Sequence, residues 1–424
     1  MAEHDCLYLG AQVFDGERFL PEAAVATTGD RISFVGQGRP AARQVRQLAG
    51  EILMPAFIDS HTHADYHAIN PANDGFSSLS QGVGTLVVGN CGMSATPLVP
   101  VNPVMLPLGG DINVPLAEHP SRLRTMPLDI ADLMGHSTLR TFVLGTARAP
   151  NAAEIDRMAG LLDQFLAAGG LGLSVGLNYP EANGYTDAEL LALCKVLAKY
   201  HRPLTCHMRD QGAGIMGAID EVLGLGDRAG CPVLISHLRP ISNRYDHLMP
   251  EIFARLESRP LARMDLYPYA AGCTSLGWFF NHLFKQPPQA GAPFPEAEVA
   301  DRALEICIGG LDDVYLMRHT TPGVQGNYLG PLARQRGVAP GLLAQELYLA
   351  DPNCMCIYNH SSSPAVVDAV LSHPKCLLGS DGYLFETGFS GLCHPRCYAA
   401  FTGYLIRYVR SGKVPLVDGL ARIT

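Results

Sequence analysis

The sequence predicts an α/β fold: a (β/α)8 TIM barrel with a small β-sandwich domain and a long insertion after the seventh barrel strand. Three observations predict it. Eight apolar β segments recur after residue 50, mostly separated by helical stretches. No Gly-x-Gly-x-x-Gly follows the first of them, as a doubly wound nucleotide-binding sheet would require. Five of the eight end in a residue able to bind a metal, at the end where barrels carry their chemistry.

Residues 1–50 read as the N-terminal part of the small β domain. Leu7-Tyr8-Leu9, Ala24-Val25-Ala26 and Arg31-Ile32-Ser33-Phe34-Val35 are short strands, split by turns at Asp15-Gly16 and Thr28-Gly29-Asp30. Residues 51–424 read as the barrel. Its strands are expected at 53–59, 84–89, 130–135, 171–176, 203–207, 233–237, 262–267 and 376–380. Residues 156–168 and 186–200 have helical spacing. The connection over about 270–375 is too long for a plain loop, so a lid or small subdomain over the barrel mouth is expected.

Composition narrows the function. With 17% charged and 47% hydrophobic residues the chain is globular. A net charge of −9 without a basic run argues against a nucleic-acid partner. No apolar run is long enough to span a membrane, and the N-terminus lacks the features of a signal peptide. The twelve cysteines are scattered, which suits free thiols in a reducing cytoplasm. A cytoplasmic protein is therefore expected, with a small-molecule partner; a homo-oligomer is left open.

The chemistry starts at Phe57-Ile58-Asp59-Ser60-His61-Thr62-His63. Side chains two apart on a strand point the same way, so His61 and His63 suit one metal. Alone, they are ordinary polar residues in a turn. The second strand runs into Cys91, the fifth into His207, the sixth into His237 and the eighth into Asp381. Each has an everyday role by itself: a buried thiol, a strand-end histidine, an aspartate in a turn. Recurring at one end of a barrel, they make a metal site, and the nitrogen and sulfur donors favour zinc.

At these residues the chain resembles the amidohydrolase superfamily, and within it the D-aminoacylases (N-acyl-D-amino-acid deacylases). The likeness lies in Val87-Val88-Gly89-Asn90-Cys91-Gly92, Gly135-His136-Ser137-Thr138-Leu139-Arg140, His207-Met208-Arg209-Asp210, Ile235-Ser236-His237, Tyr267-Pro268-Tyr269, Gly379-Ser380-Asp381-Gly382 and His394-Pro395-Arg396. Many amidohydrolases bridge two metals with a carboxylated lysine on strand four. Here residues 170–177 contain no lysine, and Cys91 is the natural substitute. The resemblance implies a tightly bound zinc on Cys91, His207 and His237. It implies a second, weaker site framed by His61, His63 and Asp381.

The implied reaction is hydrolysis of the amide of an N-acyl-D-amino acid, with Asp381 as general acid and base. Arg239 and Arg396 are candidates for the substrate carboxylate, since guanidinium binds carboxylate in a bidentate way. Tyr267 is a candidate hydrogen-bond donor there, Tyr179 lines the pocket, and Cys273 stands where the family has a substrate-contacting serine. His136 either orients substrate or satisfies a local hydrogen bond. Arg239 replaces a usual lysine, Gln211 a usual glutamate and Ala56 a usual glycine. Relatives continue past Thr424 with a tail that completes the small sheet, so a C-terminally truncated β-sandwich with an unpaired edge is expected. Alternatives are a dipeptidase or cyclic-amide hydrolase, or a zinc-binding barrel inactive through truncation.

Overall fold

The computed structural model describes residues 4–68, 72–97, 128–179 and 182–424. Two compact units emerge: residues 1–58 with 405–424, and residues 59–404. In the sequence reading the last segment fell with the barrel. In the structure it groups with the N-terminal strands, and within that unit the Ile58 N–H donates to the Ile423 carbonyl at 2.7 Å.

The smaller unit has two sheets. Four strands run in the order Arg31–Gly36, Ala24–Thr28, His4–Leu9, Ala42–Gln47. Three more run Phe19–Leu20, Gln12–Phe14, Ile52–Leu53. Alternation explains the layering. Ala24 and Ala26 join Leu7 and Leu9 in one apolar cluster, while Ala23 and Val25 join Val13 in another. The first barrel strand was expected from residue 53. Instead Ile52–Leu53 pairs with Gln12–Phe14, and the barrel strand is only Phe57–Asp59. Pro55 lies in the break, where it cannot supply a ladder N–H.

The larger unit carries an eight-stranded sheet: Phe57–Asp59, Val83–Val88, Asp129–Gly135, Gly172–Gly176, Leu204–His207, Val233–Ile235, Ala262–Leu266 and Cys376–Leu378. These are the first to eighth barrel strands. The central pairings are all parallel. Closure comes from backbone bonds between the ends: Ser60 N–H to the Leu378 carbonyl at 3.3 Å, Asp381 N–H to the His61 carbonyl at 2.8 Å. The strands are short, and Gly172–Gly176 is buried throughout, as a barrel covered by helices requires.

Two outer helices show why sequence spacing was readable. Ala152–Ala167 and Asp187–Lys199 each start on a reciprocal capping box, Asn151 with Glu154 and Thr186 with Glu189. Glu189 does more than cap. Its carboxylate accepts from Arg140 Nη1 at 2.6 Å and lies 2.8 Å from His136 Nε2, all three side chains fully buried. Burial opposes its charge, but His136 and Arg140 outweigh this and hold its pKa below the usual carboxylate range. His136 therefore serves a local network, not the barrel mouth.

The insertion is a subdomain with its own core. It contains a four-stranded sheet, Gly272–Ser275, Met355–Tyr358, Val314–Arg318 and Asn327–Tyr328. Leu276, Phe279, Phe280, Leu316, Leu343 and Leu347 bury together against it. Among the described residues no helix is long and apolar enough to cross a membrane.

Truncating Glu189 leaves Arg140 as a buried cation without its carboxylate. Glu189→Ala should cost about 3–5 kcal/mol of stability, read by urea denaturation. A loss under about 1 kcal/mol would contradict a structural role for this trio.

Candidate metal centre

Six donors meet where the barrel strands end. His61 and His63 follow the first strand, Cys91 the second and His237 the sixth. His207 closes the fifth, and Asp381 follows the eighth. Two groups of three have their donor atoms within 4.8 Å of one another: His61, His63 and Cys91, and Cys91, His207 and His237. Cys91 belongs to both. Its Sγ lies 3.4 Å from His61 Nε2 and 3.6 Å from His237 Nε2. Sulfur and nitrogen ligands on one tetrahedral zinc stand about 3.5 Å apart.

The donor set fits a metal in other ways. His207 Nε2 is buried without a hydrogen-bond partner of normal geometry, an orphan that a metal would satisfy. Burial works against a Cys91 thiolate, but the surrounding His61, His207 and His237 outweigh it and hold the thiol well below its ordinary pKa. The thiolate is the form that ligates.

Asp381 faces the histidine pair. Oδ1 is 3.1 Å from His63 Nε2 and 3.5 Å from His61 Nε2, and Oδ2 is 2.8 Å from Arg396 Nη1. Burial would raise its pKa, yet Arg396 and the histidines prevail and keep the carboxyl well below the usual range. Asp381 is thus an anion set against the first donor group.

The backbone is strained at three of these positions. Cys91, His237 and Asp381 have φ of 55°, 36° and 52° without being glycine. Such residues persist only where their surroundings hold them, and they gather at functional sites. For Cys91 the brace is on the fourth strand. The Ser174 hydroxyl donates to the Gly89 carbonyl and accepts from Gly92 N–H at 2.9 Å. So the strand without a lysine contributes by fixing the cysteine turn. Gly176 lies so close that a Cβ would strike the Cys91 carbonyl. Gly92, at φ +79°, would meet the Gly176 nitrogen at 2.7 Å.

The remaining candidates line one cavity of about 280 Å³ with His63, Cys91, His207, His237 and Asp381. Arg239 and Arg396 both lie over the Tyr267 ring, 5.2 and 4.9 Å from its centroid. Arg239 Nη2 donates to Tyr267 Oη at 2.9 Å and to Ser361 Oγ at 3.1 Å. Tyr179 sets its ring 4.9 Å from that of His207 at a 53° tilt, with its hydroxyl 3.5 Å from Nδ1, so it touches the donor set as well as the cavity. The Cys273 thiol is pushed up to about 12 by burial. Its carbonyl, not its thiol, meets Arg396, accepting from Nη2 at 3.3 Å.

Sequence reasoning assigned no role to four supporting side chains: Ser174, Asp265, Asp59 and Gln211, the last noted only as a departure from the family. Asp59 accepts from Ser380 N–H at 2.8 Å and His61 N–H at 3.3 Å, tying the first strand to the eighth. Burial raises its pKa to about 7, against the pull of Ser380. A carboxylate on a barrel strand was the available signal for Asp59 and Asp265. For Gln211 it was the departure from the family's usual glutamate, and Ser174 gave none.

An eight-stranded barrel whose strand ends gather two histidine–cysteine donor groups and an opposing aspartate has the layout of a metal-dependent amidohydrolase. The comparisons point the same way: the chain is similar to D-aminoacylases and N-acyl-D-amino-acid deacylases. It is 35% identical over 286 residues to D-aminoacylase of Alcaligenes xylosoxydans xylosoxydans, a match over 64% of this chain and 59% of that one, so the matched stretch spans less than two thirds of the relative. The fold matches the crystal structure of N-acyl-D-glutamate deacylase from Bordetella bronchiseptica, complexed with zinc and a phosphonate mimic of the tetrahedral intermediate. There the TM-score is 0.80 at 29% identity, covering 100% of this chain and 85% of that one. It matches equally, at TM-score 0.80 and 28% identity over 99% and 84% of the chains, a D-aminoacylase structure concerned with a binuclear metal centre. No family model matches the chain.

Gly176→Ala should displace the Cys91 carbonyl and lower the affinity for added zinc by about 10–100-fold, measured by chelator competition. Unchanged affinity would show that the cysteine turn tolerates the extra carbon.

Proposed function

We propose that the chain is a zinc-dependent hydrolase of N-acyl-D-amino acids, releasing a carboxylate and a free D-amino acid. The carrying observation is Cys91 shared between two donor triads, with Asp381 set against the histidines of one of them. The reading takes Cys91, His207 and His237 as the firmer zinc ligands, with His61, His63 and Asp381 framing the second position. The sharing of Cys91 supports an addition: it also serves the second position.

A bound zinc would bring a water toward neutral pKa and polarise the scissile carbonyl. The chain's residues do the rest. Asp381, held as a carboxylate beside His63 and Arg396, accepts the water's proton and returns it to the departing nitrogen. Arg396 keeps Asp381 ionised and oriented. Arg239 and Arg396, converging on Tyr267, offer guanidinium groups to the substrate's free carboxylate. That convergence favours a linear substrate with a terminal carboxylate over a cyclic amide. The D-configuration rests on the likeness to D-aminoacylase and N-acyl-D-glutamate deacylase.

The test is a zinc assay on the purified protein together with a screen of N-acetyl-D- and L-amino acids, dipeptides and hydantoins. Release of free D-amino acid, lost with a chelator and restored by zinc, is expected. Turnover confined to hydantoins, or indifferent to chelation, would overturn the reading. Asp381→Asn should lower kcat by about 10²–10⁴-fold while the firmer zinc stays bound. Retained activity in that variant would remove Asp381 from the proton-transfer role.

A further inference from the structure

Asp265 is a fully buried carboxylate on the seventh barrel strand, outside the donor groups. Its two oxygens go to two different donors. Oδ2 lies 3.2 Å from His61 Nδ1. Oδ1 accepts the backbone N–H of His237 at 2.8 Å. His61 belongs to one triad and His237 to the other.

Each contact fixes something the triad needs. A carboxylate at Nδ1 holds the His61 proton there, leaving Nε2 as the lone-pair nitrogen. That nitrogen is the one 3.4 Å from Cys91 Sγ and 3.5 Å from Asp381 Oδ1. His237 stands at φ 36°, a conformation that costs free energy and must be held from outside. Its N–H is held by Asp265, and its carbonyl accepts from Gln211 Nε2 at 3.1 Å. The Leu238 N–H then donates to the Asp265 backbone carbonyl at 3.0 Å, so the sixth and seventh strands share the hold. The eighth strand also closes in, since a Cβ on Gly379 would sit 3.2 Å from Asp265 Oδ1.

We infer that Asp265 is a positioning residue for both metal positions at once: one carboxylate sets the ring of His61 and the main chain of His237, and so couples the two donor triads. The inference rests on the metal-dependent reading above. It predicts that changing one side chain, which itself donates to no metal, weakens every zinc the protein holds.

The experiment compares wild type with Asp265→Asn, loading zinc and competing it with a chromophoric chelator. Each zinc equivalent held by the wild type should weaken by about 10–100-fold in the variant, and the Gln211→Ala variant should weaken chiefly the equivalent on His237. Equal affinities in wild type and Asp265→Asn, or a loss confined to one of two equivalents, would overturn the coupling. Should Asp265→Asn not fold, the wild-type zinc protein still decides. Nitrogen-15 spectra of its histidines should show His61 protonated at Nδ1 and ligated through Nε2, and ligation through Nδ1 would overturn the inference. A wild type that takes up no zinc would instead refute the functional reading itself.

Discussion

Everything at the barrel mouth depends on where the Cys91 sulfur is held. One thiolate stands between His61 on one side and His237 on the other, and both donor triads need it. A thiolate can serve two cations because it carries full charge on a large, polarisable atom. Holding it there takes a left-handed cysteine, a serine on the fourth strand and glycines where strands press together. The fourth strand illustrates the exchange. Without a lysine to reach into the site, it supplies Ser174 and Gly176, which let the second strand's cysteine reach in instead.

The site is electrostatically self-supporting. Burial penalises each charge in it, and each charge is answered by another: the Cys91 thiolate by imidazoles, Asp381 by Arg396 and the histidines. Under the proposed function Arg396 would have two duties, one toward Asp381 and one toward an incoming carboxylate. Arg239 is anchored differently, by Tyr267, Ser361 and the carbonyls of Tyr269 and Ala270. The two guanidiniums both lie over Tyr267 but have different partners, so the proposed anion subsite would combine a fixed cation with one shared with Asp381.

Much of this was legible in the sequence because it rests on local signals. Eight apolar runs set the barrel strands to within a few residues, and residue type placed histidine, cysteine and aspartate at their ends. What was not legible depends on long-range geometry. The first strand's early start failed because Pro55 divides two sheets that an apolar run cannot distinguish. The antiparallel sheet inside the insertion pairs Gly272–Ser275 with Met355–Tyr358, some eighty residues apart in sequence, which no periodicity announces. Ser174 looks like an ordinary residue until its partners are known, and Gln211 stands out only as a departure from the family. The double membership of Cys91 could not be read, since spacing along a chain does not say how many neighbours a sulfur has in space.

Zinc-edge X-ray absorption on the zinc-loaded protein tests the central claim most directly. The shared-thiolate account predicts one sulfur at about 2.3 Å around every bound zinc, with nitrogen or oxygen completing each shell. A second zinc equivalent that adds only nitrogen and oxygen scatterers, or a first equivalent without sulfur, would contradict it.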